Sequence, residues 1–594
     1  MATITSLPAE VIEIILGDEN VSIEDVLSFS STCKRFQEIR LTNKFWATKF
    51  YQRCSSARKK YNTEKQKKIF DHSNFEQQIK EGLKYVKKIQ YYVSLMTEND
   101  LCHDDKEELE YLLRSIAENS KSQIYLFVAD ELNRIVSTQS SREPSCNLTS
   151  AYNFGIIIQC LKQYRLMFKQ NKFINMPEKK QLLERLLTIV AQYFDPHISF
   201  SVMKTCFDNI TEEVLSHLKT KYPGHSIFST SPDQFSDWRN NNIKDNFWDE
   251  TEAKEIMCIL QKFVTSEFYN YKLKQLLITL DPHKNRVHSL LLYFDESLRS
   301  LIYHTVARRL GIRCVLKPDE IPDEDREGIA IIWQPKYDNT EHLNIANYFM
   351  IVQNYTNEAY TIFKIVRGRC NYLSRKALFS YVQIIAFIIH NYDFDNIYRL
   401  EEYEWELNII IKIIQNGDIN ITKPIKVKSD IVRTKPKIRN EKIKFAIGMI
   451  VKYLFKNVLS HIEDCGLQVY HFGVIIGWHF KCEAAFIKES LSSIAPHLTE
   501  CENQKICSGQ CGKFQPHYII LTRKNKISYV QQDELSICQS EWINNVEIGR
   551  YFSTFNGTHY VPNKGLAEEY PNDIGAIPKI LFNSNSLNIQ CCGE

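Results

Sequence analysis

No apolar run in this sequence is long enough to cross a bilayer. The longest, around Tyr381 to Ile389, is broken by Gln383 and falls well short of the roughly 20 residues that a spanning helix needs. The opening Met1–Ser6 has neither a basic stretch nor an apolar one, so no secretory leader is expected. An excess of one charge is also lacking. The formal net charge is +3, which removes bulk electrostatics as an argument for a nucleic-acid partner and leaves only local basic patches. Nucleotide-cradling signatures are missing: no Gly-x-Gly-x-x-Gly follows a strand pattern and no Gly-Lys-Ser/Thr occurs, so no such cofactor is expected. The 17 cysteines are odd in number and scattered, without the tight framework of a small secreted fold. They are expected to be reduced, many of them as small core residues. An intracellular, soluble protein, cytoplasmic or nuclear, is the expectation. The Asn-x-Thr sequons at Asn147, Asn209, Asn354, Asn420 and Asn556 are then chance matches.

What is present points to a multidomain α+β protein. With 24% charged and 44% hydrophobic residues the chain is globular rather than disordered. Its 594 residues exceed what one core holds, so three or four domains are expected. The 31 tyrosines and 33 phenylalanines supply ample material for packed cores.

The first fifty residues carry the densest pattern. Pro8 suits the first turn of a helix, where its missing N–H costs nothing. Val11, Ile12, Ile15 and Leu16 then recur at one-turn spacing on one face. Gly17 and Asn20 stop that helix, and Ser22 with Asp25 reads as a capping box opening a second, which carries Val26, Leu27 and Phe29. A third short helix holds Cys33 and Phe36, and Asn43, Trp46 and Phe50 close the unit. So short a segment buries only a modest core, so its apolar surface is expected to continue into a partner.

That order (Leu7-Pro8, Ile15-Leu16, Asp25-Val26-Leu27, Thr32-Cys33-Lys34-Arg35-Phe36 and a closing Trp46) resembles the F-box. The resemblance covers less than a tenth of the chain. It implies three short helices docked on a Skp-type adaptor and, through it, on a cullin scaffold. The residues it assigns to that docking are Leu7, Pro8, Val11, Ile12, Ile15, Leu16, Leu27, Cys33, Phe36 and Trp46.

From Arg53 to about Asn74 the chain is polar and Lys-rich, a solvated helix or connector. Helical spacing follows to about Phe268, as in Leu109, Leu112, Leu113 and Ile116. Beyond it a helix over Ser297 to Leu310 is broken by Gly311 and followed by two β-like runs, 312–316 and 329–333, around an acidic loop. Helical spacing returns from Leu373 to about Gln415. The stretch 421–444 is rich in Lys and Arg around Pro424 and Pro436 and reads as an exposed, extended linker.

After it the period becomes alternating. Val469 to Trp478 is a β-rich run punctuated by Gly473 and Gly477; Gln515 to Leu521 and Ile527 to Val530 read as a hairpin. Gly473-Val474-Ile475, Gly477-Trp478, Gln515-Pro516-His517-Tyr518, Tyr529-Val530 and Glu534-Leu535 resemble the YccV-like module, also called the hemimethylated DNA-binding domain, a small β-barrel. Gly549-Arg550-Tyr551-Phe552, the 557–563 segment and Tyr570-Pro571 resemble an extension that accompanies this module in F-box proteins. In that family a transglutaminase-like domain of the SirB type lies between the two ends. Tyr303 to Gly311 and the strand reaching Trp333 are its degenerate counterpart here, and the family's Gly-Ile-Pro and Pro-x-His-Phe segments are not recognisable. The implied order is an F-box at 1–52, a helical scaffold at 53–268 and a divergent transglutaminase-like region with a helical segment at 269–420. The linker at 421–444, the barrel with its extension at 445–575 and a tail at 576–594 complete it.

Chemistry is sparse. Cys314, Asp338 and His342 are the only nearby nucleophile–base set, but Cys314 lies in an apolar run rather than at a helix start, as a buried structural thiol does. His497, Cys501, Cys507 and Cys511 lack the close two-ligand knuckles of structural zinc. No catalytic residue, metal or cofactor is expected. Gly473, Trp478, Pro516, Tyr518 and Tyr529 either line a recognition surface or fill a small barrel's core, the core being favoured for the tyrosines. The expected function is a non-catalytic substrate receptor of a ubiquitin ligase. One alternative is a DNA-binding protein acting through the C-terminal module and the basic linker. The other is an enzyme built on the transglutaminase-like region.

Overall fold

Capping chemistry sets the first elements. The computed structural model describes residues 7–34, 36, 41–54, 74–119, 122–139, 143, 146–194, 200–265, 303–319, 328–333, 436–454, 470–481, 515–523, 527–538, 541–545 and 547–582. Pro8 stands one residue before the Ala9–Gly17 helix, and its carbonyl accepts the first intrahelical bond, from the Ile12 amide at 3.2 Å. The Ile23–Ser31 helix starts on a complete capping box. In it the Asp25 amide donates to the Ser22 hydroxyl at 3.0 Å and the Ser22 amide to the Asp25 carboxylate at 3.2 Å. Thr42 caps the Asn43–Arg53 helix by accepting from the Phe45 amide at 3.1 Å. Such caps satisfy amides that the first helical turn otherwise leaves without partners.

The chain divides into two compact units, Met1–Leu161 with Thr422–Glu594, and Lys162–Ile421. The boundary at Leu161 falls inside the helical stretch expected at 53–268, so the early helices fold with the two ends of the chain. In the first unit the N-terminal helices pack on Phe75–Glu98, which also contacts His103–Glu118 and Ser122–Gln139.

The C-terminal part of this unit is a five-stranded antiparallel sheet in the order Ile527–Gln531, His517–Thr522, Tyr470–His479, Ile450–Leu454, Leu535–Ile537. Its strands are Ile450–Leu454 (β3), Tyr470–His479 (β4), His517–Thr522 (β5), Ile527–Gln531 (β6) and Leu535–Ile537 (β7). It curls strongly. The Tyr453 hydroxyl on β3 reaches Ser528 on β6 at 2.7 Å, although β4 and β5 separate those strands in the pairing order. A bulge between Ile475 and Gly477 adds local twist of the kind that bends sheets into barrel-like shapes. The hairpin β8–β9, Phe552–Phe555 and Tyr560–Pro562, covers one side, with Phe552, Phe555 and Tyr560 buried in the same core as Val474 and Leu521. At its described end the basic stretch is tied down by hydrogen bonds. The Lys437 amide donates to the Glu569 carbonyl at 2.8 Å, and the Arg439 side chain to the Ile443 carbonyl at 2.6 Å.

The second unit holds Leu183–Phe194, Phe200–Lys221, Pro232–Asn240 and Glu250–Thr265, helical residues 303–309, and the antiparallel pair Val315–Asp319 (β1) and Gly328–Ile332 (β2). Trp238, Trp248, Tyr303 and Trp333 fill its core. Gly311, at φ +77°, ends helix 303–309 with the rings of Trp238 and Trp248 against its Cα. Inside the unit the fully buried Glu184 accepts from Arg309 at 2.9 Å and from Arg308. Burial alone raises the Glu184 carboxyl, but the two guanidiniums outweigh it and hold the group below its usual range. Asp338, His342 and the insertion residues His497, Cys501, Cys507 and Cys511 lie outside the described residues.

Gly448 sits at φ +86°, with its amide donating to Ile475 and its carbonyl accepting from Tyr560, each at 2.9 Å. A Cβ there would lie 2.0 Å from the Tyr560 carbonyl oxygen. Gly448→Ala is expected to destabilise the sheet by on the order of 1–3 kcal/mol. Denaturant unfolding followed by tryptophan emission checks this, and an unchanged midpoint would contradict it.

Candidate functional site

The three N-terminal helices sort their apolar residues into two sets. Ile12, Leu16, Ile23, Val26, Phe36, Trp46 and Phe50 are buried together. Phe29 stacks on Phe36 with ring centroids 4.0 Å apart. Leu7, Leu27 and Cys33 are half-buried against this core, and Pro8 is exposed. Val11, Ile14 and Ile15 are 37%, 74% and 42% exposed on the first helix. Of the residues assigned to docking, Ile12, Leu16, Phe36 and Trp46 therefore support the unit from inside. Pro8, Val11 and Ile15 form its outer face, which Ile14 extends.

Polar contacts hold this face in place. The buried Lys49 donates to the carbonyls of Asp18 at 2.5 Å and Val21 at 2.7 Å, fastening the turn between the first two helices. Burial lowers the Lys49 pKa, and the nearby Asp18 charge partly opposes this. Gln52 donates to the Gly17 carbonyl at 2.9 Å. Arg53 pairs with Glu24 at 2.8 Å and with the buried Glu131 at 2.5 Å, and Arg134 joins Glu131 at 3.0 Å. The apolar core continues inward rather than only outward: Phe50 meets Phe75 at 5.5 Å and Phe127 at 5.9 Å. Much of the surplus apolar surface expected to reach a partner is thus covered by the chain's own helices.

In the C-terminal sheet the five residues singled out for a recognition surface are all buried, Trp478 and Tyr518 fully so. Trp478 and Tyr518 lie opposite one another on the face that the curl of the sheet turns inward, whereas Tyr529, opposite Ile519, is buried on the other face. The Trp478 indole donates to Asp573 at 3.0 Å, the Ile447 amide donates to the same carboxylate at 2.9 Å, and Arg439 pairs with it at 3.4 Å. Burial raises the Asp573 pKa despite those hydrogen bonds. Tyr518 donates to Gln532 at 2.8 Å and accepts from the Phe445 amide at 3.1 Å. Burial pushes its hydroxyl up to about 12. His479 bonds the Tyr529 hydroxyl at 2.9 Å, and His517 stacks on that ring.

The outward row of the sheet is different in kind. Lys452 lies between Phe472 and Ser536 in register. Its ammonium sits 5.2 Å from the Tyr470 ring, and the Arg523 guanidinium 5.5 Å from that of Phe472. In the second unit Cys314 is buried, and burial pushes its thiol up to about 12, the opposite of an activated nucleophile. No helix among the described residues is long and apolar enough to cross a membrane.

Comparison with known proteins bears on both ends. Residues 443–559 match the family described as hemimethylated DNA-binding protein YccV like, which takes in the curled sheet and the start of its cover. Two curated relatives, the F-box only protein 21 of Pongo abelii and of Homo sapiens, are each 22% identical over 100% of this chain and 96% of their own. The chain is similar to F-box only protein 21 along its whole length. The Mus musculus protein of that name is 22% identical over 96% of this chain and 92% of its own. No solved structure matches.

Lys49, Glu131, Arg439 and Asp573 escape a reading of the sequence. Lys49 meets carbonyls 28 and 31 residues away, Glu131 an arginine 78 residues away and Arg439 an acid 134 residues away, so no local pattern marks them. Burial raises the Glu131 carboxyl, but hydrogen bonds from Arg53 and Arg134 outweigh it and leave the pKa below its usual value. The folded pKa being the lower one, the ionised pair stabilises fully above the ordinary carboxylate range and is lost as pH falls through the folded value. Glu131→Gln is expected to lower stability by about 2 kcal/mol at neutral pH. The difference from wild type should shrink below about pH 4, as measured by denaturant midpoints across pH; a pH-independent difference would contradict it.

Proposed function

We propose that this protein is the substrate-recognition subunit of a Skp–cullin–F-box ubiquitin ligase. Its N-terminal helices would bind the adaptor, and its remaining domains would present a protein substrate to the conjugating enzyme. The observation that carries this reading is the outer face formed by Pro8, Val11, Ile14 and Ile15, backed by a closed core of Ile12, Leu16, Phe36 and Trp46. An apolar surface on a unit whose core is already complete is what a partner's groove covers. Similarity to F-box only protein 21 at both ends of the chain supports it. The receptor itself would be non-catalytic, with thioester chemistry residing in other subunits and rate gained by proximity.

Charged substitution on this face tests the idea. Ile15→Asp and Val11→Asp are expected to weaken capture of purified adaptor and cullin at least about 30-fold, the scale of a hot-spot loss. The tryptophan emission of the C-terminal sheet should stay native in both. Full capture by both variants would overturn the proposal.

A second reading rests on a specific observation, the YccV-like match at 443–559 together with the outward row of Lys452, Tyr470, Phe472 and Arg523. Cations interleaved with rings suit a phosphate backbone and exposed bases. DNA binding through this face would fall steeply with salt and drop several-fold in Lys452→Ala/Arg523→Ala. Binding that ignores both would remove this alternative.

A further inference from the structure

The Phe75–Glu98 helix touches both functional ends of the first unit. Its start, Phe75 and Ile79, is buried in the core of the N-terminal helices. Its other end meets the cover of the sheet, where the Lys564 ammonium donates to the Glu98 carbonyl at 3.0 Å and pairs with Asp100 at 3.8 Å. At 24 residues the helix is about 36 Å long.

A second contact clamps the sheet to the neighbouring helix. Leu148, the first residue of Leu148–Ile174, is buried among the residues of the sheet core. Thr149 donates to the Phe552 carbonyl at 3.0 Å, and the Tyr152 hydroxyl to Glu547 at 3.3 Å. Gly549 presses against that helix so closely that a Cβ would lie 2.0 Å from the Leu148 carbonyl oxygen and 2.7 Å from the Tyr152 Cβ. No side chain fits there without moving one element off the other. Two contacts, each more than 400 residues apart in sequence, therefore join the sheet and its cover to the start of Leu148–Ile174 and to the end of Phe75–Glu98, and Asn153 on the first helix donates to Thr97 on the second at 3.2 Å.

We propose that Phe75–Glu98 is a rigid spacer that fixes the reach between the adaptor-binding face and the C-terminal sheet, and that Gly549 is the positioning residue that seats the sheet on the neighbouring Leu148–Ile174 helix. This rests on the ligase reading. A receptor that works by proximity gains nothing from a substrate domain swinging freely, so the seat acts on where ubiquitin is delivered rather than on adaptor affinity.

The full-length chain, Gly549→Ala and Lys564→Glu provide the test, the exposed Lys564 serving as the variant least able to disturb folding. Amide hydrogen exchange is measured over 95–101, over 147–156 and over β4–β5, with adaptor capture alongside. Self-ubiquitination with adaptor, cullin and charged conjugating enzyme is read as rate and as the set of lysines modified. Exchange is expected to rise about tenfold at 147–156 in Gly549→Ala and at 95–101 in Lys564→Glu, while β4–β5 protection and adaptor capture stay unchanged. The modified lysines are expected to spread to new positions, and the rate at the original ones to fall about tenfold. Increased exchange with the wild-type lysine set and rate would overturn the inference, as would unchanged exchange in both variants. Failure of the wild type to capture adaptor would overturn the ligase reading and the inference about reach, while exchange would still decide the docking itself.

Discussion

Phe50 packs between Phe75 and Phe127, and the rest of the first unit depends on that contact. A three-helix segment of about fifty residues buries too little surface to be firmly stable by itself. Joined through these rings to the long helices behind it, the segment gains a deep interior and keeps a narrow apolar strip outside. Gly82 shows how close the fit is, since a Cβ there would come within 2.5 Å of the Phe127 ring. The Arg53–Glu131 pair joins Asn43–Arg53 to Ser122–Gln139 beside this junction. A buried ion pair of this sort specifies arrangement more than it adds net stability, because desolvation takes back most of the Coulomb gain.

The C-terminal sheet follows the same logic. Five short strands with two open edges make a shallow core, which the 541–582 segment deepens by laying Ile543, Phe552, Phe555, Tyr560 and Ile577 over it. The carboxylate of Asp573 then ties the segment to Trp478, to the Ile447 amide and to Arg439. Each of these donors needs the acceptor, for an unpaired buried indole or amide is costly. Cover and sheet therefore stand or fall together, and the cover is also what meets the helical arm.

On the proposed reading, the two modules divide the work of a receptor. The N-terminal face offers shape and apolar surface, and the sheet offers a row of cations and rings. The thiol that the sequence places beside a candidate base is buried and hard to ionise. What the protein contributes to a reaction would then be geometry: a docking face at one end of a long helix and a presentation domain seated near the other.

By itself the sequence determined the elements whose signals are local. The capping box at Ser22 and Asp25, the stripe of Ile12 and Leu16, the break at Gly311 and the β-rich runs of β4 and β5 each depend on residues within a turn or a strand of one another. It also marked the apolar N-terminal residues as a set. Only the tertiary structure divided that set into a core and an outer face, because one helical stripe is wide enough to serve both and burial decides which part faces inward. Tertiary structure likewise turned Trp478 and Tyr518 inward, since the curl of a sheet is a property of all its strands. Asp573, Lys49 and the Gly549 seat depend wholly on contacts distant in sequence, where no period or motif exists to announce them.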